Sequence, residues 1–153
     1  MKIRSDFVTN SSSSSFILGF KAENTIAQEI YGNIGKVYAD ILYEDVMHAK
    51  RLSHEEALAM IREEEQYTAE WIAVNRVMPR MSYREAWDWA ETDEGKFAIQ
   101  QVMDEIIDNA KRKMIDHDVV VEVEYGDHTS PGSELEHNIL PNNLNTIRRI
   151  SHH

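Results

Sequence analysis

Seven histidines are spread along the chain, and four of them fall at or beyond position 128: His128, His137, His152 and His153. Two follow a carboxylate directly, in Asp127-His128 and Glu136-His137. Neutral imidazole and carboxylate together suit zinc, iron, manganese or nickel. If the segment 127–141 folds back over the end of the chain, Asp127, His128, Glu136 and His137 reach His152 and His153. Three or four of these would complete a mononuclear site. Asp127 or Glu136 would then be a ligand, an orienter of a histidine, or the base that takes a proton from metal-bound water. Other features weigh against a metal. No spacing matches a compact zinc motif such as His-Glu-x-x-His. Adjacent histidines on a strand point to opposite faces, so His152 and His153 cannot both aim inward without a bend. Surface histidines, or the start of an expression tag, would give the same letters.

Near the other end stands a run of five serines, Ser11, Ser12, Ser13, Ser14 and Ser15. As a low-complexity tract it is simply a polar loop. If both ends of the chain form neighbouring strands, its hydroxyls and amides lie at the rim of the histidine site and hold an anion or substrate there. A third reading is a recognition or modification tag. Five candidate serines fit any Ser-His-Asp arrangement, so no triad follows from order alone.

The elements that must position these groups read β at the ends and helical in the middle. Residues 1–9 suit a short strand. Residues 16–22 alternate Phe16, Leu18 and Phe20 against Ile17, Gly19 and Lys21, as a strand with one strongly buried face does. Helices are expected over 24–31, where Gly32 and Gly35 break the pattern, and over 37–50. Ser53-His54-Glu55-Glu56 is a capping box; it opens a helix whose stripe runs Ala57, Met60, Ile61, Tyr67, Trp71 and Val74 and ends before Pro79. Ser82-Tyr83-Arg84-Glu85 repeats the box and starts a short helix to Trp89. Thr92 caps the longest, 93–115, with Phe97, Val102, Met103, Ile106, Ala110 and Met114 on its apolar face. Val119, Val121, Val123 and Tyr125 alternate with Glu122 and Glu124 as in an antiparallel strand with one wet face. Residues 127–145 read as loop. Residues 146–152 read as a last strand, with Arg148 or Arg149 opposite Glu122 or Glu124. The expected fold is α+β: one domain, 1–153, with a small antiparallel sheet built from regions 1–22 and 117–153 and packed on the helical middle, 23–116.

The two ends also resemble known sequences. Met1-Lys2-Ile3-Arg4, then Phe7-Val8-Thr9-Asn10, the five serines and Phe16-Ile17 are similar to the opening of a scattered set of uncharacterised bacterial and bacteriophage proteins. Glu136-His137, Leu140-Pro141 and the closing Ser151-His152-His153 resemble the ends of such proteins. The likeness covers about a third of the chain and none of the helical middle. It implies that the final histidines are native, and it carries no activity.

Composition sets the outer limits. The 153 residues include no cysteine, so disulfides, thiol nucleophiles and cysteine-held metal clusters are excluded. No apolar run approaches the length of a membrane helix. There is no apolar segment of the signal-peptide kind near the start, and cytoplasmic residence is expected. Sixteen basic against 27 acidic residues give a net charge of −11, which argues against a nucleic-acid partner. Glu55, Glu56, Glu63, Glu64, Glu65 and Glu70 make a negative helical face. Trp87 and Trp89, two apart, face different ways, so one stays near the surface and could anchor a protein partner; Trp71 and Trp87 read as core. Two functions therefore stand: a divalent-metal-binding protein, with metal-dependent hydrolysis as its chemistry, or a non-enzymatic acidic interaction protein of bacterial or phage origin, of the inhibitor or DNA-mimic type.

Overall fold

A computed structural model describes residues 13–77, 79–126 and 130–152. In chain order, β1 (Ser13–Phe20) leads through a single 3-10 turn (Glu23–Thr25) to α1 (Ile26–Tyr31) and α2 (Lys36–His48). Then come α3 (His54–Glu64), α4 (Gln66–Val77), α5 (Tyr83–Ala90) and α6 (Asp93–Met114). β2 (Val119–Gly126) follows. α7 (Ser130–Glu134) then runs through a π-helical turn (Leu135–Ile139) into α8 (Leu140–Asn143), and β3 (Thr146–His152) ends the fold. The fold is α+β, with an antiparallel sheet made from both ends of the chain.

The chain divides into two compact units. One holds the residues up to Ala57 and those from Lys113 onward; the other is Leu58–Arg112.

In the first unit β1 is the central strand, in the order β2-β1-β3. Phe16 stands opposite Val123 on one side and Arg149 on the other. Phe16, Ile17 and Leu18 are all fully buried. A continuous apolar run suits a middle strand covered on both faces, which corrects the expectation of one dominant buried face. The order also corrects the expected ion pairs: β3 pairs with β1 rather than β2, so Arg148 and Arg149 lie opposite Ile17 and Phe16 and not opposite Glu122 or Glu124. On one face of the sheet, Phe16, Leu18, Phe20, Val121 and Val123 form a core with Ile26 and Ile30 of α1, Leu42 and Val46 of α2, and Leu135 and Leu140 near β3. The Arg51 guanidinium caps α2 by donating to the Val46 and Ala49 carbonyls, at 2.6 and 3.0 Å, and pairs with both oxygens of Glu23. That pairing holds the Glu23 carboxyl below the usual carboxylate range.

The expected loop 127–145 is mostly helical over the described residues from Ser130. Pro131, Gly132 and three asparagines are poor helix formers, but Leu135, Ile139 and Leu140 fall on one face and bury against the sheet, and packing overrides propensity. The expected strand over 1–9 lies outside the described residues.

Tyr125, at the end of β2, donates its hydroxyl to Asp45 of α2 at 2.5 Å. Burial and that carboxylate push the phenol pKa well above the usual tyrosine value. Tyr31 donates to Asp40 and is pushed up to about 12. A phenol whose folded pKa is raised stabilises the fold fully below the unfolded value of about 10, and the contribution is lost as pH rises through the folded value. Tyr125→Phe should therefore cost about 1 kcal/mol at pH 7. Urea midpoints of the two proteins should converge progressively above about pH 10. A constant gap up to pH 11 would rule this account out.

In the second unit, Ala69, Ala73 and Val74 of α4, Trp89 of α5, and Ile99, Val102, Met103 and Ile106 of α6 are buried. Arg76 of α4 forms a two-point pair with Glu105 of α6 at 2.9 and 3.0 Å. The apolar stripes predict Trp71, Trp87, Tyr67 and Phe97 in the core, but these four are more than half exposed, at 54%, 56%, 62% and 65%. Helical periodicity shows that a helix has an apolar stripe, but not that another element covers it. Among the described residues, no helix is long and apolar enough to cross a membrane.

Candidate functional site

The serine run enters β1, and strand alternation sends successive hydroxyls to opposite faces. Ser14 shares its face with Phe16 and Arg149; Ser13 and Ser15 share theirs with His152. Each serine then meets a different group.

On the first face, Ser14 is 1% exposed and donates to Glu136 Oε2 at 2.8 Å. Glu136 is likewise 1% exposed and sits in the π-helical turn between α7 and α8. A terminal nitrogen of Arg149 lies 3.7 Å from the same oxygen. Arg149 Nε donates to Ser14 Oγ at 3.1 Å, and its guanidinium stacks over the Phe16 ring with 5.6 Å to the centroid. The other carboxylate oxygen, Oε1, is buried and accepts no hydrogen bond among the described residues. It lies 3.2 Å from His137 Nε2, close enough for an ion pair but misdirected for a hydrogen bond. His137 is about half exposed. Glu136 thus has one oxygen held by serine and arginine and one turned towards an imidazole nitrogen. The π turn that carries both residues is a rare form of helix, frequently found at functional positions.

On the second face, Ser15 Oγ and His152 Nε2 are 2.9 Å apart, and Ser13 donates to Glu124 at 2.9 Å. Ser15 is 4% exposed, so this hydroxyl serves the end of the sheet.

The expected ligand set is therefore only partly in view. Glu136 and His137 meet each other, and Ser14 reaches Glu136. His152 lies on the opposite face from Ser14 and is engaged by Ser15. Asp127, His128, His153, Ser11 and Ser12 lie outside the described residues. Among the described residues, no three His, Asp or Glu side chains converge with metal-ligand spacing. Of the other described histidines, His48 Nδ1 contacts the Glu44 carbonyl of its own helix and His54 Nε2 contacts the His117 carbonyl, while the buried Nδ1 of His117 has no hydrogen-bond partner among the described residues.

Arg149 is the member that sequence reasoning missed. Its role depends on β3 pairing with β1 in a register that sets it opposite Phe16, and only the choice of central strand would have revealed that. No protein-family model, no curated protein and no solved structure matches this chain.

Proposed function

We propose that the protein binds a divalent transition metal, with Glu136 Oε1 and His137 Nε2 as the first two ligands. The observation that carries this reading is the buried, unbonded Oε1 lying 3.2 Å from Nε2. Two donors each about 2.0–2.2 Å from one ion lie roughly 2.8–3.6 Å from each other across octahedral to tetrahedral angles, and neither needs to point at the other. Leaving a carboxylate oxygen buried without a partner costs on the order of 1–3 kcal/mol, which a bound cation would repay. Ser14 and Arg149 fix the other oxygen, as groups behind a metal ligand commonly do. Asp127, His128 and His153 are the candidates to complete the set, and zinc, iron, manganese and nickel all suit such donors. Hydrolysis by metal-activated water is the reaction class this chemistry would serve.

The test is elemental analysis of protein purified without affinity tag or chelator, before and after reloading with each ion. About one metal per chain is expected, lost in Glu136→Gln and in His137→Ala but kept in His152→Ala. Absence of metal after every reload, or retention in both Glu136→Gln and His137→Ala, would overturn the proposal.

A further inference from the structure

We infer that the cleft between α4 and α5 binds a small quaternary ammonium cation of the choline type. This site lies wholly in the second compact unit and uses none of the groups of the proposed metal site. Tyr67 and Trp71 stand one turn apart on α4; Tyr83 and Trp87 stand one turn apart on α5. All four line one cleft, two from each helix. Val74, Ala86 and Ala90 also line it, and their short side chains leave room between the rings.

Four aromatic rings at 54% to 73% exposure are costly to present to water on one small surface. Their chemistry selects the occupant. The faces of indole and phenol rings carry negative potential and attract a cation within about 6 Å, most strongly when the cation is already poorly hydrated. A trimethylammonium group meets that requirement: its charge is spread over methyl surfaces that pack on the rings, and it has no N–H left to satisfy. The lining contains a single carboxylate, Glu70, which supplies the counter-charge. Exposed carboxylates outnumber exposed cations around the two helices: Glu63, Glu64, Glu85, Asp88, Glu91, Asp93 and Glu94 exceed Arg62, Arg76, Arg80, Arg84 and Lys96. They disfavour an anion and make a net cation a better ligand than a zwitterion.

The experiment titrates the full chain with choline, with glycine betaine, and with the neutral tert-butyl analogue of choline, read by calorimetry and by tryptophan fluorescence. Saturable choline binding is expected, at least about tenfold tighter than the neutral analogue, because the two differ only in charge. Betaine should fall between them. Trp71→Ala and Trp87→Ala should each abolish binding without changing the far-ultraviolet dichroism, since both residues are exposed; Glu70→Gln should weaken it several-fold. Equal affinity for the neutral analogue would overturn the inference, because the cleft would then be merely apolar. So would no binding up to about 50 mM choline. Sedimentation that shows a second copy covering the cleft, dispersed by Trp71→Ala and indifferent to choline, would overturn it too.

Discussion

Arg149→Leu should destabilise the protein by roughly 2–3 kcal/mol, and the Arg149→Leu/Glu136→Leu double variant should recover most of that loss. Glu136 is a nearly inaccessible carboxylate, and the groups that offset its burial are the Ser14 hydroxyl at 2.8 Å and the Arg149 guanidinium at 3.7 Å, both on Oε2. Removing one partner of a buried pair leaves the other charge uncompensated, at about 3–5 kcal/mol when both are fully enclosed. The value here is lower because the Arg149 side chain is 37% exposed and the Ser14 hydrogen bond remains. Leucine keeps some of the packing that the arginine stem makes on Phe16. In the double variant no charge is stranded, and an apolar pair of similar bulk is often neutral against a buried ion pair. Ser14→Ala should cost less, about 1 kcal/mol, as it removes one hydrogen bond. Urea denaturation of the parent protein, Arg149→Leu, Glu136→Leu and the double variant, with metal excluded by chelator, supplies the double-mutant cycle. Additive effects in that cycle would show that Arg149 and Glu136 are not coupled. The metal-free condition keeps this result separate from the question of which ion binds.

The same coupling separates what is legible in the sequence from what is not. The alternation of Val119, Val121 and Val123 with Glu122 and Glu124 marks β2 because one face of that strand is wet. The box of Ser82 and Glu85 marks the start of α5 because two otherwise free amides are satisfied there, by contacts both present at 3.2 Å. Such signals are local. The order of strands is not: β1 takes the middle because Phe16-Ile17-Leu18 needs cover on both faces, and only that order brings Arg149 to Ser14 and Glu136. The meeting of Ser14 with Glu136 spans most of the chain, and no spacing rule reaches that far. The helical segment around Glu136 is hidden for another reason. Its two prolines, glycine and asparagines speak for a loop, and the three apolar residues that outweigh them act only once the sheet is there to receive them. At Trp71 and Trp87 the mismatch runs the other way: the stripe has the pattern of a core, and the fold leaves it open.

Gly95→Ala should be the most damaging single methyl addition in the second unit, costing about 3 kcal/mol or more, because the strain has nowhere to go. Gly95 lies in the first turn of α6, where its amide donates to the hydroxyl of Thr92 at 3.0 Å. Thr92 in turn donates both its amide and its hydroxyl to the Trp89 carbonyl, at 3.0 and 2.6 Å. These bonds fold the start of α6 tightly onto the end of α5 and bring the Gly95 backbone against that same carbonyl. A Cβ at Gly95 would lie 2.0 Å from the Trp89 oxygen and 2.9 Å from Ala90 Cα. Both are backbone atoms, so no rotamer change relieves the clash; α5 and α6 must part. Parting them breaks the Thr92 cap, commonly worth about 1 kcal/mol, and disturbs the packing of the buried Trp89. Overpacking of this kind usually costs about 1–3 kcal/mol, and backbone-on-backbone contact belongs at the top of that range. Gly35→Ala is the matched control. Gly35 precedes α2 with φ −61° and ψ 148°, which any residue adopts, and a Cβ there would meet nothing within 4 Å. It should change stability by less than about 1 kcal/mol, since a stiffer unfolded chain offsets a slightly poorer cap. Equal urea midpoints for the two variants would show that the corner between α5 and α6 is looser than this geometry requires. A selective loss in Gly95→Ala, with Trp89 emission shifted to the red, would establish the glycine as the hinge-pin of that corner. It should also weaken choline binding in the neighbouring cleft, because Trp87 and Ala90 ride on the same short helix.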